Sequence, residues 1–456
     1  MSIEDRPLLT DGSLAEAARG VAARLVGEGF DALFAGGAVR DALRGVEPHD
    51  IDIATSARPE QVEQIFEKTV PVGRAFGVMI VVVDGTPFEV AAFREEGAYT
   101  DGRHPDEVRF ADARADAARR DFTVNGLFYD PASERVLDFV NGLADLDAGV
   151  LRAIGAPEAR FGEDRLRMLR AVRFAAQLGF SIEPRTWDAL CHGAAALDAV
   201  SAERIRDELL KLLLSPRPHD GMRLLADSGL LAQFLPEAVA MIGCTQPPEF
   251  HPEGDVWAHT LMMLEMMAAR AAGRGEPAAP ELAWGVLLHD IAKPPTRRVA
   301  ERIRFDRHDS LGRVMTEDIL RRLRCSRETI RVVCDLVGHH MRFMNIEDMR
   351  PARRERWLRD PAFPLHLELH TLDCLASHGS MKKVNVTRRF LDDLPPLPPE
   401  RLITGRDLID LGVPPGPALG LMLEAIDDRV AAGELVTRDQ ALAAAAELAA
   451  SYDRRH

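Results

Sequence analysis

At 456 residues the chain is too long for one ordinary core, so two to four domains are expected. Its composition, 46% hydrophobic and 28% charged, is that of a soluble globular protein, and no apolar run reaches membrane-span length. The formal net charge of −15 speaks against a general nucleic-acid binder, and five scattered cysteines without a CxxC speak against a disulfide framework or a Cys-type zinc site.

Residues 14–29 have the spacing of an amphipathic helix, and DALFAGG ends a short strand in a glycine turn before a helix from about Ala38. DIDIAT is a strand, and PEQVEQIFEK a helix with proline at its start. GVMIVVV and TPFEVAAF are β-rich runs joined at Asp84-Gly85, a strong hairpin signal. Residues 95–118 are expected as a mobile, charged loop. From Leu151 the strand signals cease, and 163–178, 186–197, 201–214 and 220–232 all have helical spacing. GCTQPPEFHPEGD (243–255) and LDDLPPLPPE (391–400) are breaks. The expected organisation is an α+β domain over 1–150, a helical neck over 151–245, a histidine-rich helical domain over 246–390 and a short helical tail over 391–456.

Chemistry concentrates in FAGGAVRDALRGVEPHDIDIAT (34–55). Strand alternation puts Asp50 and Asp52 on one face, roughly 7 Å apart, and Ile51 and Ile53 on the other. Two carboxylates so placed can share divalent ions, while Gly36-Gly37 lets backbone approach a bulky anion ahead of a helix N-terminus. Arg40, one turn in, adds a charge-assisted contact to phosphate. Each half alone is ordinary structure. Together they describe a site for a Mg-triphosphate, and no GxxxxGK[ST] or GxGxxG occurs elsewhere to hold one. Glu89 in the hairpin is a candidate third acid, and equally a residue facing water.

GGAVRDALRG…DID resembles the signature of the class II tRNA nucleotidyltransferases, which add CCA to tRNA, and of the related bacterial poly(A) polymerases. RRDFTVNGLFYD (119–130), DFVNGLADLDAGVLRAIG (138–155) and FGEDRLRMLRAVRFAAQLGF (161–180) match further family stretches in the family's order. The resemblance covers about residues 30–235 and implies a polymerase-β-like nucleotidyltransferase head followed by an all-α neck. It implies catalysis by Asp50 and Asp52 holding Mg²⁺, with nucleotide contacts from Gly37, Arg40, Arg120, Asp121, Asp164, Arg167, Arg170 and Arg173, and Arg119 beside them. REEGAYTDGRHPDEVRF (94–110) resembles the loop that A-adding and full CCA-adding enzymes retain.

A physical reason for base choice lies in the neck. Helical spacing places Glu163, Arg167, Arg170 and Phe174 in one stripe, with Asp164 nearby and Leu169, Val172 and Ala176 on the core side. A surface helix with i,i+4 Glu–Arg pairs would look the same. As chemistry, a carboxylate can only accept and a guanidinium can only donate. Asp164 facing the exocyclic amine and Arg167 facing the ring nitrogen would admit CTP and ATP. UTP and GTP would leave buried groups unpaired, at about 1–3 kcal/mol each.

Farther along, His259, His289-Asp290 (in LLHDIAKP) and Asp373 resemble the H…HD…D pattern of the HD phosphohydrolase superfamily, an all-helical fold. Neutral imidazoles with a carboxylate suit a divalent transition-metal ion and a bound water as nucleophile. Lys293, His308, His339 and His340 are candidates for a phosphate contact or a second metal. Residues 291–360, with 18 Lys+Arg against 11 Asp+Glu, suit a phosphate-bearing substrate or a tRNA surface. The expected fold is thus a head and neck followed by an HD-type domain and a helical tail. The expected activity is template-independent addition of C and A, from CTP and ATP, to a tRNA 3′ end with release of pyrophosphate, in the cytoplasm and away from membranes. An A-adding enzyme or a poly(A) polymerase is the alternative, its RNA being another 3′ end. From a different class, a metal-dependent HD phosphohydrolase with a nucleotide-sensing head remains open.

Overall fold

Short apolar runs separated by glycine turns build one mixed sheet in the first 140 residues, as a computed structural model describes it over residues 2–5, 12–73, 77–97, 108–395 and 402–453. Its strands come from β1 (Ser2–Asp5), β2 (Ala32–Ala35), β3 (Asp52–Thr55), β4 (Thr69–Gly73), β5 (Val78–Val83) and β6 (Thr86–Ala92). β7 (Arg94–Glu96) and β8 (Val108–Phe110) pair apart from it, and β9 (Leu127–Asp130) and β10 (Arg135–Asp138) complete it. The order is β1-β10-β9-β2-β3-β6-β5-β4. Every neighbouring pair is antiparallel except β3–β6. Asp84 and Gly85 both have positive φ (49° and 82°), as the tight β5–β6 hairpin requires.

The helices of this part are α1 (Ser13–Gly27), α2 (Gly37–Leu43), α3 (Pro59–Ile65), α4 (Ala113–Ala118) and α5 (Gly142–Ala148). The neck follows with α6 (Pro157–Glu163), α7 (Leu166–Leu178), α8 (Pro184–Gly193), α9 (Ala202–Leu213), α10 (Pro218–Asp227), α11 (Leu230–Phe234) and α12 (Pro236–Val239). α1 buries Ala15, Ala18, Val21, Ala22 and Leu25, the i, i+3, i+4 stripe of an amphipathic helix. Two expectations need correction. Residues 95–118 are not one loop: β7 and β8 pair antiparallel and α4 follows, capped by the Asp112 carboxylate on Ala115 N, while residues 98–107 lie outside the described residues. The helix expected over 163–178 is broken, because Asp164 is extended (φ −141°, ψ 107°) between α6 and α7. The neck region also keeps a two-residue parallel pair, Val150–Leu151 with Ser181–Ile182.

By contact the chain forms two units, Met1–Ala240 with Ala268–Ala278 and Ile319–Cys325, and Met241–Met267 with Ala279–Asp318 and Ser326–His456. The second is helical: α13 (Val256–Arg274) as far as Met267, α14 (Pro280–Leu288), α15 (Lys293–Thr296), α16 (His308–Arg322) as far as Asp318, α17 (Arg327–His339), α18 (Pro351–Leu358), α19 (Phe363–Ala376) and α20 (Lys382–Asp392). A hairpin, Arg297–Val299 with Ile303–Phe305, interrupts it. The tail, α21 (Gly405–Asp410), α22 (Pro417–Ala431) and α23 (Arg438–Asp453), closes around its own apolar cluster of Leu408, Met422, Ile426 and Ala445. Among the described residues no helix is long and apolar enough to cross a membrane.

One turn ties sheet to site. The buried Asp138 carboxylate accepts from Val140 N, Gly142 N and Leu143 N, which draws the start of α5 against the short helix Thr123–Asn125. A Cβ at Gly142 would lie 2.2 Å from Thr123 O, a backbone atom that cannot step aside. Gly142→Ala should therefore lower unfolding free energy by about 2–3 kcal/mol in a denaturant titration, and an unchanged midpoint would refute the contact.

Candidate active site and candidate metal centre

Strand register sets an acidic face. Ala35 pairs with Asp52, the first residue of β3, and Ile53 pairs with Val90 of β6, which brings Glu89 beside Asp52. Asp50 precedes β3 rather than lying in it, yet the alternation holds: Ile51 and Ile53 are buried, and Asp50, Asp52 and Glu89 face outward. Desolvation where the Asp52 carboxyl meets the pocket wall, then Glu89 and Asp50, push it up to about 6 against an opposing pull from Arg120. Three crowded acids short of positive charge fit a divalent-ion site.

The anion side is built on Gly36. Its φ is 70°, and a Cβ there would sit 2.9 Å from Arg120 Nη1, so this glycine rather than Gly37 carries the constraint. Asp116 holds Arg119 at 2.7 Å and Arg120 at 3.0 Å. Buried Arg40 donates to Asp41 and, at 2.6 Å, to Asn125 Oδ1. Asn125 Nδ2 in turn donates to Asp121, which also accepts Arg170 Nε and Nη2 at 2.8 and 2.6 Å. Burial alone would raise the Asp121 carboxyl, but Arg170, Asn125 and Phe122 N together hold it at about 2. The Phe174 ring lies under three guanidinium groups, those of Arg40, Arg170 and Arg173, at 5.3, 5.2 and 3.9 Å. Gly37, Arg40, Asp50, Asp52, Arg119, Arg120, Asp121, Asp164, Arg167, Arg170, Arg173 and Phe174 all line one cavity of about 940 Å³, whereas Glu89 and Glu163 lie outside its lining.

The two expected base-reading residues are held from behind. Asp164 accepts from Leu166 N at 3.1 Å and from Arg204 Nη2 at 2.7 Å. Arg167 bonds Glu163, the Arg160 carbonyl (3.1 Å) and the Arg119 carbonyl (3.3 Å). Glu163 therefore braces Arg167 although it ends a different helix. Arg204 escaped the sequence reading, as did Glu208, which is buried and takes Arg173 Nε at 2.6 Å. Their i,i+4 spacing on α9 was the available signal, but that spacing is common on surface helices.

In the second unit His289 caps α14 and Asp290 follows, so both turn into one cleft with His259 of α13 and Asp373 of α19. His259 Nε2 lies 3.2 Å from Asp373 Oδ1, and His289 Nε2 lies 3.1 Å from Asp290 Oδ2. Both nitrogens are buried and outside hydrogen-bond geometry. His308 and His340 join Asp290 as a second trio, their Nε2 atoms 3.1 Å apart, while Lys293 Nζ is 2.7 Å from Asp290 Oδ2. His339 turns away, 2.9 Å from Asp335. Nδ1 of His289, His308 and His340 each meets a backbone carbonyl, of Val286, Phe305 and Val337. A carbonyl only accepts, so the proton stays on Nδ1 and each Nε2 presents a lone pair. Lone pairs facing each other across buried space fit a metal ion. Burial and the His308 and His289 rings depress the His340 imidazole to about 4, so it is neutral near pH 7, as a ligand must be.

The acidic face carries a stability cost with a defined pH window. Because the Asp52 carboxyl sits at about 6 in the fold against an ordinary 3.8, native stability should fall as pH rises from about 4 through 6 and stay lower above. In metal-free buffer Asp52→Asn should melt above wild type at pH 8 and level with it near pH 4; equal melting at both would contradict the crowding.

Three protein-family models match in chain order: Poly A polymerase head domain over residues 32–152, Probable RNA and SrmB-binding site of polymerase A over 179–242, and HD domain over 256–373. A CCA-adding enzyme of Enterococcus faecalis is 32% identical over 91% of this chain and 91% of its own. One of Ligilactobacillus salivarius is 45% identical over 44% of this chain, a match that spans half the relative's length (50%). The crystal structure of the Bacillus stearothermophilus CCA-adding enzyme in complex with CTP superposes with a TM-score of 0.69 at 28% identity, covering 98% of this chain and 100% of that one. At 32% identity over 91% of both chains, with the same overall fold, the chain belongs to the family of CCA-adding enzymes.

Proposed function

We propose that the first unit adds C and A, taken from CTP and ATP, to the 3′ end of tRNA without a template. The observation that carries this is the acceptor–donor couple, Asp164 and Arg167, braced in the same cavity as the acidic face. Asp164 keeps lone pairs beyond those given to Leu166 N and Arg204, and can only accept an exocyclic amine. Arg167 spends three N–H groups on Glu163 and two carbonyls, which leaves Nε–H and one Nη2–H to donate to a ring nitrogen. Cytosine and adenine present that amine and that nitrogen; uracil and guanine present the reverse. The Bacillus stearothermophilus relative, solved with CTP, supports a pyrimidine triphosphate in this cavity.

In this reading the triphosphate lies over Gly36 and Gly37 against Arg120 and Arg40, and Asp121 holds Arg170 rigid beneath the nucleotide. Asp50 and Asp52, with Glu89 beside them, would hold Mg²⁺, which supplies charge neutralisation at the phosphates and eases deprotonation of the RNA 3′-hydroxyl. The hydroxyl attacks the α-phosphorus and pyrophosphate leaves. A tRNA substrate and five free cysteines support a cytoplasmic site of action. A second reading concerns the second unit, where the converging Nε2 lone pairs support a metal-dependent phosphohydrolase whose substrate carries a phosphate ester.

The test is to offer each nucleotide singly, with Mg²⁺, to tRNA ending before CCA, at CC and at CCA, and to size the products. Wild type should add two C, then one A, and stop. A run of A would favour the poly(A) alternative, and A on the CC end alone the A-adding one. Asp50→Ala and Asp52→Ala should each abolish incorporation with the fold intact. Asp164→Ala should cost about 1–3 kcal/mol of discrimination against UTP, roughly 5- to 150-fold, and unchanged discrimination would remove Asp164 from the reader.

A further inference from the structure

The break at 243–255 does more than join two helical regions. As a strap it lines, through Pro247, Glu249, Phe250 and His251, the cavity that holds Asp290, His308, His340 and Asp373, and its polar side chains hold residues expected to bind metal. Gln246 Oε1 accepts from Lys293 Nζ at 2.6 Å, and Lys293 is bonded to Asp290. Asp255 caps the start of α13, accepting from Gly243 N (2.6 Å) and Ala258 N (2.7 Å). Glu253, its side chain only 3% exposed, lies with Oε1 2.6 Å from His259 Nδ1 and 2.8 Å from His251 Nδ1.

Four imidazoles point Nε2 into the cleft, and three of them fix that orientation through a backbone carbonyl. His259 alone does so through a carboxylate. A carboxylate accepts only, so Glu253 keeps a proton on His259 Nδ1, and Nε2, which faces His289 and Asp373, is the nitrogen left to ligate a cation once any proton it shares with the Asp373 carboxylate has gone. The same carboxylate adds negative charge behind the ring and makes Nε2 a stronger donor to a cation than a carbonyl would. The trio His251, Glu253 and His259 could itself be taken as an ion site. Filling it together with the His259–His289–Asp373 site would require His259 to ligate through both nitrogens as an imidazolate.

We infer that Glu253 is a positioning residue of the second unit's metal centre, fixing the tautomer and raising the ligand strength of His259, so that the strap sets metal affinity. This rests on the metal-centre reading given above, and the experiment separates the two. Co²⁺ is titrated into the metal-stripped full chain in excess Mg²⁺ and followed by its visible absorption, for wild type and for Glu253→Asp, Glu253→Gln and Glu253→Ala. Melting of each metal-free protein is recorded alongside.

Loss of the charge in Glu253→Gln should weaken Co²⁺ about tenfold, and loss of charge and acceptor in Glu253→Ala about a hundredfold. Glu253→Asp should recover part of the loss, and metal-free melting should stay at the wild-type value. Wild-type affinity in both Gln and Ala variants would overturn the inference alone. So would weakened binding accompanied by a matching fall in metal-free melting, which marks a merely structural role. A wild-type chain that takes up no Co²⁺ in this unit would overturn the metal-centre reading itself.

Discussion

Like charge held against like charge is the constraint on which the rest depends. The antiparallel β2–β3 pairing and the parallel β3–β6 pairing bring Asp52 and Glu89 together, with Asp50 just upstream, and the buried Ile51 and Ile53 prevent the face from turning away. A register slip of one residue would send the acids inward and the isoleucines out. The fold is thus committed to a cluster that is unfavourable without a cation. The surrounding arginines relieve it only in part, through Arg120: Arg40 is paired with Asp41, Arg170 with Asp121, Arg173 with Glu208, and Arg120 itself with Asp116. Pairing the guanidinium groups with neighbouring acids, one of which (Asp116) serves both Arg119 and Arg120, leaves the acidic face for an ion and the remaining N–H donors for a phosphate or a base.

Those pairings also make the cavity rigid. Asn125 links Arg40 to Asp121, Asp121 links the head to Arg170 of α7, and Glu208 of α9 anchors Arg173 of the same helix. The couple proposed to read the base sits at the break between α6 and α7, where an extended Asp164 can face the cavity while Arg204 fixes it from α9. Selection by fixed hydrogen-bond polarity requires such fixity, since a carboxylate or guanidinium free to rotate would accommodate the wrong edge. The second unit follows the same principle with a different chemistry: each imidazole is fixed through Nδ1 so that Nε2 faces the cleft.

Much of this was legible in the sequence because it is written in short-range patterns. The Asp-Ile-Asp-Ile alternation, the glycine turn, the Asp84-Gly85 hairpin and the His-Asp pair at a helix end each depend on neighbours in the chain, and the structure has them. What escaped depends on long-range partners. Gly36 is constrained by Arg120, 84 positions away, and nothing local separates it from Gly37. The break at Asp164 has no proline to announce it; the Asp164–Arg204 pair, closed across 40 positions, holds it in place. Glu253 sat inside a stretch whose prolines and glycines suggested a linker, and its importance appears only once His259 lies against it.

The most direct measurement is the pH dependence of divalent-ion affinity at the acidic face, taken as the difference between wild type and Asp52→Asn in Mn²⁺ titration calorimetry. With the Asp52 carboxyl at about 6, the Asp52-dependent affinity should fall about tenfold for each pH unit below that value and level off above it. An affinity that stays constant from pH 5 to pH 8 would show that burial and the neighbouring acids do not hold the Asp52 carboxyl up, and the account built on that face would fail.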